Sequence, residues 1–241
     1  MAESGCGEIS LGTSRTGVRR GPLPARRARR GDSRYLELIA VKLTAGLTTT
    51  RQLYWRIIPF MQSPRKHAML DGLNKIDWSK LTHAYGSAAE VPDLLRDLPS
   101  PDMEASANAL WELYGNIWHQ GTVYEATAHA VPFLIEIIES IPHADRVGIL
   151  GLLHAIVGGH SYLEVHQDLD GYHNKRNTAE FRAKMEREIS WVRAARRAVL
   201  QGVPTYIRLL EDSEANARAM AAYLLATCFE RRPEIELALR Q

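Results

Sequence analysis

Along residues 91–230 apolar side chains return every three or four positions, the period of an α-helix with one face turned inward. Three segments share the pattern. "VPDLLRDLPSPDMEASANALWEL" starts at Val91, "VPFLIEIIESIPHADRVGILGLL" at Val131 and "VPTYIRLLEDSEANARAMAAYLL" at Val203. Each opens on Val-Pro, carries an apolar stripe, crosses a polar turn and carries a second stripe of similar length. In the first unit that second stripe is Met103, Ala107, Leu110, Trp111, Tyr114, Ile117 and Trp118; in the third it is Met220, Ala221, Leu224, Leu225 and Cys228. Both are expected to be core faces. The second unit follows the first by 40 residues and the third follows by 72, which places an insertion at about 158–178.

The ends of these helices are marked as well. Ser100 is expected to cap a helix whose first position is Pro101, where a missing N–H does no harm. Thr122 to Glu125 and Ser87 to Glu90 read as capping boxes, each side chain satisfying an orphan amide of the other. Gly158-Gly159 follow a stripe that ends near Val157, where a left-handed residue is expected to close the helix. Pro132 and Pro204 fall inside long helical patterns and predict kinks, not breaks.

The fold class implied is all-α: an α-solenoid of about three helix pairs, with a partial fourth at "RRPEIELALRQ". In such a stack each pair contacts only its neighbours. The closing segment carries Ile235, Leu237 and Leu239 but cannot complete a repeat. Self-association through it, or a partner, is expected to cover the apolar surface left over.

Charge divides the chain. Residues 1–68 carry 13 Lys/Arg against 4 Asp/Glu, whereas residues 69–241 carry 17 against 24. The N-terminal 32 residues are rich in Gly, Ser, Pro and Arg and cannot bury enough apolar surface to offset chain entropy, which predicts a largely disordered tail. Arg-rich, acid-poor composition is also that of organelle transit peptides, but a solvated tail is the simpler reading. Residues 34–62 add two short amphipathic segments, the second with Leu53, Tyr54, Ile57, Ile58 and Met61 on one stripe. The domain reading is thus a basic extension over 1–68 and a repeat domain over 69–241. Met69 could serve as a start, and the extension is expected to be dispensable for folding. No aliphatic run spans a bilayer. Cys6 and Cys228 lie far apart and read as free thiols of a reducing compartment, which predicts a cytoplasmic protein without membrane contact.

Paired helices at about 40 residues, with a proline in the first helix and an Asp-containing turn, resemble HEAT repeats. "DWSKLTHAYGSAAEVPDLLRDLPSPD" and "ALWELYGNIWHQGTVYEATAHAVPFL" are similar to a bacterial HEAT-like group that shares a domain type with phycobilisome lyases. The resemblance covers roughly 70–241. It implies the fold and leaves function open, because fold does not imply function. The first unit has "SPDMEAS" where the family's turn carries Asp-Val-Arg, so a ladder of stacked Asp–Arg contacts is not expected there.

Chemistry is sparse. The metal-binding hydroxylases of this architecture use His-Glu dipeptides, and the sequence has none. HEAT-like DNA glycosylases need a basic concave face, which an acidic repeat domain argues against, so nucleic acid is not an expected partner of that domain. No residue suggests bilin lyase activity. There is no phosphate-binding Gly loop, no Cys-x-x-Cys and no Gly-x-Ser-x-Gly elbow. Cys228 lies on an apolar stripe and reads as a small core residue. No catalytic residue, metal ligand set or cofactor is therefore assigned.

Histidine is the unusual distribution: eight of nine fall between His83 and His173. In a helix-pair stack, the turns joining one repeat to the next lie along one edge. That edge receives His83 with Tyr85, then Trp118-His119-Gln120, then His160, His166 and His173 with Asp168 and Asp170; His143 belongs to the opposite edge. Caps, turns and stripes account for Thr122, Glu125, Gly121 and Trp118 but not for His119, Gln120 or Tyr124. Together with His160 and His166, these three form the expected binding patch. The function expected is a non-enzymatic protein-binding scaffold. The alternative is an enzyme, or a metal- or anion-binding protein, that uses the histidine-rich rim. The spacings of that rim match no zinc signature.

Overall fold

The structure, a computed structural model, describes residues 70–141, 145–173 and 175–240, and for Asp170 and His173 the backbone only. The basic extension, its amphipathic segments and His143 lie outside the described residues. Two 3-10 turns, Asp71–Lys75 and Trp78–Lys80, lead into a hairpin of β1 (Thr82–His83) and β2 (Gly86–Ser87). Then come α1 (Val91–Asp97), α2 (Met103–Asn116), a hairpin of β3 (Trp118–His119) and β4 (Thr122–Val123), α3 (Glu125–Ser140) and α4 (Arg146–Val157). Two short helices, α5 (Tyr162–His166) and α6 (Asp170–His173), precede the long α7 (Ala179–Gln201). The chain goes on through α8 (Val203–Arg208), α9 (Ala215–Thr227) and α10 (Arg232–Leu239). It is mostly helical.

Neighbouring helices pack in order. α1 lies on α2 and α3, α3 on α4 and α7, α4 on α7 and α9, and α8 on α9 and α10. Leu95, Leu113, Ile117, Leu134, Ile137, Leu150, Leu153, Leu224 and Leu225 are sealed in one continuous core. Burying each such side chain stabilises the fold by about 1.5–3 kcal/mol before chain entropy is counted. Of the stripe expected in α9, Ala221, Leu224, Leu225 and Cys228 are buried and Met220 is half-buried against the core.

The stripe named for α2 turns inward only in part: Ile117 is sealed, and Leu110, Tyr114 and Trp118 are half-buried against the core. Met103 is 85% exposed and Trp111 77%, while the buried positions are Ala109, Leu113 and Asn116, with Ile117 just beyond the helix. Positions 109, 113 and 117 also follow helical spacing. α2 therefore offers two apolar stripes, and packing against α1 and α4 decides which one turns inward.

Several helix ends differ from expectation. The cap of α2 is Asp102, whose carboxylate accepts the Glu104 and Ala105 amides; an ionised acceptor suits the positive end of a helix. Ser100 Oγ accepts the Asp102 N–H instead. Tyr124 precedes α3, and Thr127 Oγ1 accepts its N–H at 2.9 Å, so Thr122 and Glu125 do not form a capping box. Thr122 is a buried strand residue. Ser87 lies in β2 and donates to the Ser79 carbonyl, and Glu90 makes no side-chain cap on α1. α4 does end at Val157, but Gly158 has φ −90° and is not left-handed. The requirement is at Gly159, where a Cβ would lie 2.5 Å from a Val123 methyl.

Pro132 sits within an unbroken α3. At Pro204 the helix breaks: α7 stops at Gln201, Gly202 intervenes, and Pro204 falls in the first turn of α8. The freed acceptors are taken from elsewhere. Arg231 Nη1 donates to the Leu200 carbonyl at 3.1 Å, and the Tyr206 hydroxyl donates to the Val199 carbonyl at 3.0 Å. Those two partners make a break affordable where proline alone predicts a bend. In the closing segment, Ile235 and Leu239 are buried and only Leu237 of the three stays exposed, because α10 packs on α8.

Candidate binding groove and hairpin edge

Both hairpins turn within two residues. Gln120 and Gly121 have φ of 47° and 94°, the left-handed pair that matches strand twist in a two-residue hairpin. Gly121 meets this need without strain; Gln120 bears it at a cost of about 1–2 kcal/mol. Main-chain hydrogen bonds tie each hairpin to adjoining segments of the chain. Ala84 N–H donates to the Asn116 carbonyl, Val123 N–H to His160, and His160 N–H to Gly121. The result is one continuous edge.

A polar knot, buried at His83 and Asn116 and open at Glu90, fixes the first hairpin. His83 Nδ1 accepts the Tyr85 N–H at 3.0 Å, which leaves Nε2 to carry the proton and donate to the Glu90 carboxylate. Asn116 Nδ2 donates to the same Glu90 oxygen at 3.2 Å. Tyr85 is thereby projected outward, 69% exposed, with its ring edge-on to His119 at 5.3 Å and its hydroxyl 3.3 Å from His119 Nδ1.

Beside that pair, the outward stripe of α2 floors a groove of about 840 Å³. That lies within the size range of small-molecule and peptide pockets. Tyr85, Trp111, Tyr114 and Trp118 supply rings, Leu110 and Ala107 aliphatic floor, Glu112 and Asp145 carboxylates, and His119 and Gln120 one wall. Tyr114 and Trp118 meet at 5.9 Å and 86°. Burial, with the Asp145 carboxylate nearby, pushes the Tyr114 phenol up to about 12, so it is a neutral hydroxyl at ordinary pH. The Trp118 indole N–H is buried without a hydrogen-bond partner among the described residues.

A second cluster lies further along the edge. Tyr124 and Thr122 share a hydrogen bond of 2.8 Å, and burial raises the Tyr124 phenol, with Tyr162 and Glu188 adding to the rise. Glu188 is buried and accepts the Leu163 N–H at 2.8 Å, which ties α5 to α7. Tyr162 stacks on His166 at 4.2 Å, and His166 Nδ1 donates to the Tyr162 carbonyl.

The five residues singled out from sequence therefore divide. His119 and Gln120 line the groove; Tyr124, His160 and His166 do not. His160 has an exposed side chain on a bridged backbone, and His166 is half-buried against Tyr162. Trp111, Tyr114, Trp118, Glu112 and Asp145 were not among the five. The competing series 109, 113, 117 on α2 was the signal that could have turned Trp111 outward. Among the described residues, no three His, Cys, Asp or Glu side chains gather to hold a metal ion. None of the described helices is long and apolar enough to cross a membrane. Comparison with family models, with curated proteins and with solved structures finds no match for this chain.

Proposed function

We propose that the chain is a non-enzymatic protein-binding scaffold, a short α-solenoid of three HEAT-like helix pairs whose groove along α2 engages an extended segment of a protein partner. The pairs are α1 with α2, α3 with α4, and the broken helix α7–α8 with α9. Two features support the stacking. α3 packs on α1 and α7, and α4 on α9. Arg146 of the second pair reaches Asp212 of the third at 3.2 Å, largely out of solvent. Stacks of this kind offer extended surfaces instead of deep pockets.

The observation that carries the proposal is the outward stripe of α2, with Trp111 and Tyr85 standing exposed over a groove lined by further rings. Large exposed aromatics on a contiguous apolar surface are the usual anchors of an interface. Selection of peptides from a random library against the full chain tests it. Peptides should be enriched by the unaltered protein and not by Trp111→Ala or Tyr85→Ala, with both variants melting as the unaltered protein does. Equal enrichment on all three proteins would refute the groove as the binding surface.

A further inference from the structure

Resting on that reading, we infer that the groove's occupant is a positively charged segment, an arginine- or lysine-bearing stretch of a protein partner. The charge of the lining points there. Glu112 and Asp145 both face the groove, and among the described residues no Lys or Arg lines it. Neither carboxylate has an ion-pair partner among the described residues. Asp145 is held by its own helix, its Oδ1 accepting the Gly148 N–H at 2.8 Å. Arg146, the nearest cation in sequence, is turned away, paired with Asp212 and donating to the Ile138 carbonyl.

The rings strengthen the same preference. A guanidinium or ammonium is attracted to an indole or phenol face, most strongly to Trp. Trp111 and Tyr85 are both exposed and line the same groove as the two carboxylates. An acidic segment would meet two like charges there, and a purely apolar one would leave both carboxylates desolvated without a counter-charge. A side chain with an aliphatic stem and a cationic head can lie along Leu110 and Ala107 while its head reaches Glu112 or Asp145.

The test uses the full chain and three short fluorescein-labelled peptides of identical leucine and glycine content, carrying two arginines, two glutamines or two glutamates. The arginine peptide should bind at least about tenfold tighter than the glutamine peptide, and the glutamate peptide should bind weakest. Glu112→Gln with Asp145→Asn should reduce the arginine advantage to about twofold or less; asparagine caps α4 as well as aspartate does, so folding is preserved. Equal binding of arginine and glutamine peptides, still abolished by Trp111→Ala, would overturn the charge inference and leave the groove proposal standing. Binding that ignores Trp111→Ala would sink both. Spermidine or arginine amide competing at the peptide's own concentration would overturn a peptide occupant in favour of a free cation. Tighter peptide binding after Arg26, Arg27, Arg29 and Arg30→Gln would show the chain's own basic extension in the groove, and would overturn a separate partner.

Discussion

Gly202, at the break between α7 and α8, makes a demanding test of the packing. Its φ is −79°, so alanine suits the backbone and by chain entropy alone would stabilise by about 0.4–1 kcal/mol. The surroundings oppose that. A Cβ would be in hard contact with the hydroxyl and Cζ of Tyr206, and 2.8 Å from Ile135 Cδ1. Tyr206 has no exposure and cannot swing out. Overpacking of this kind costs roughly 1–3 kcal/mol, and displacing a buried hydroxyl from the Val199 carbonyl adds about 1–3 kcal/mol. Gly202→Ala should thus destabilise by about 3 kcal/mol net, read as a lower urea midpoint by circular dichroism at unchanged slope. Tyr206→Phe alone should cost about 1 kcal/mol. Because the phenylalanine lacks the atom nearest the new methyl, the double variant should be at least about 1 kcal/mol more stable than the two losses added. A neutral Gly202→Ala, or strict additivity in the double variant, would refute the contact.

Thr122→Val keeps the shape of a buried strand residue but removes the bonds to the His119 carbonyl and the Tyr124 hydroxyl, so urea unfolding should show a loss of about 1–2 kcal/mol. Trp111→Ala, on an exposed ring, should stay within about 0.5 kcal/mol of the unaltered protein in the same assay. In a Cys6→Ser background, Ellman's reagent at pH 8 should find no reactive thiol until denaturant is added, because Cys228 is sealed in the core and burial pushes its thiol up to about 11. The same shift fixes an alkaline dependence. A thiol raised from 9.0 to about 11 stabilises the fold fully below pH 9, and that contribution is lost as pH rises through 11. The thiol's share of the loss amounts to about 2–3 kcal/mol, and Cys228→Ala should reduce the alkaline loss by that share in urea titrations run across that range, leaving the part due to Tyr114 and Tyr206.

The stripe read for α9 was largely legible in advance: Ala221, Leu224, Leu225 and Cys228 are buried, and Met220 is half-buried against the core. α2 was not, because helical spacing alone ranks its two stripes equally and only the neighbouring helices choose between them. The groove was hidden by the same ambiguity: Trp111, Tyr114 and Trp118 read as interior. His119 and Gln120 were singled out because no local role explained them, and they line the groove, whereas the Tyr124 hydroxyl shares a hydrogen bond with Thr122 outside it. The break at Pro204 depends on Arg231 and Tyr206, partners supplied by other parts of the chain.

The edge that carries Tyr85 and His119 is registered by peptide groups: Ala84 to Asn116, Val123 to His160, His160 to Gly121. Peptide groups are common to all residues, so the register of the hairpins with the segments beside them does not depend on which side chains the turns display. Gln120, His119 and Tyr85 can be exchanged by mutation while the scaffold beneath them keeps its register. Between Arg146 of α4 and Asp212, just ahead of α9, the tie is made by the side chains' own charges, and a substitution there removes it. Substitutions at the hairpin tips are therefore expected to be tolerated better than substitutions at Arg146 or Asp212. A saturation-mutagenesis map of expression level would display that asymmetry as tolerance at Tyr85, His119 and Gln120 and constraint at Arg146 and Asp212.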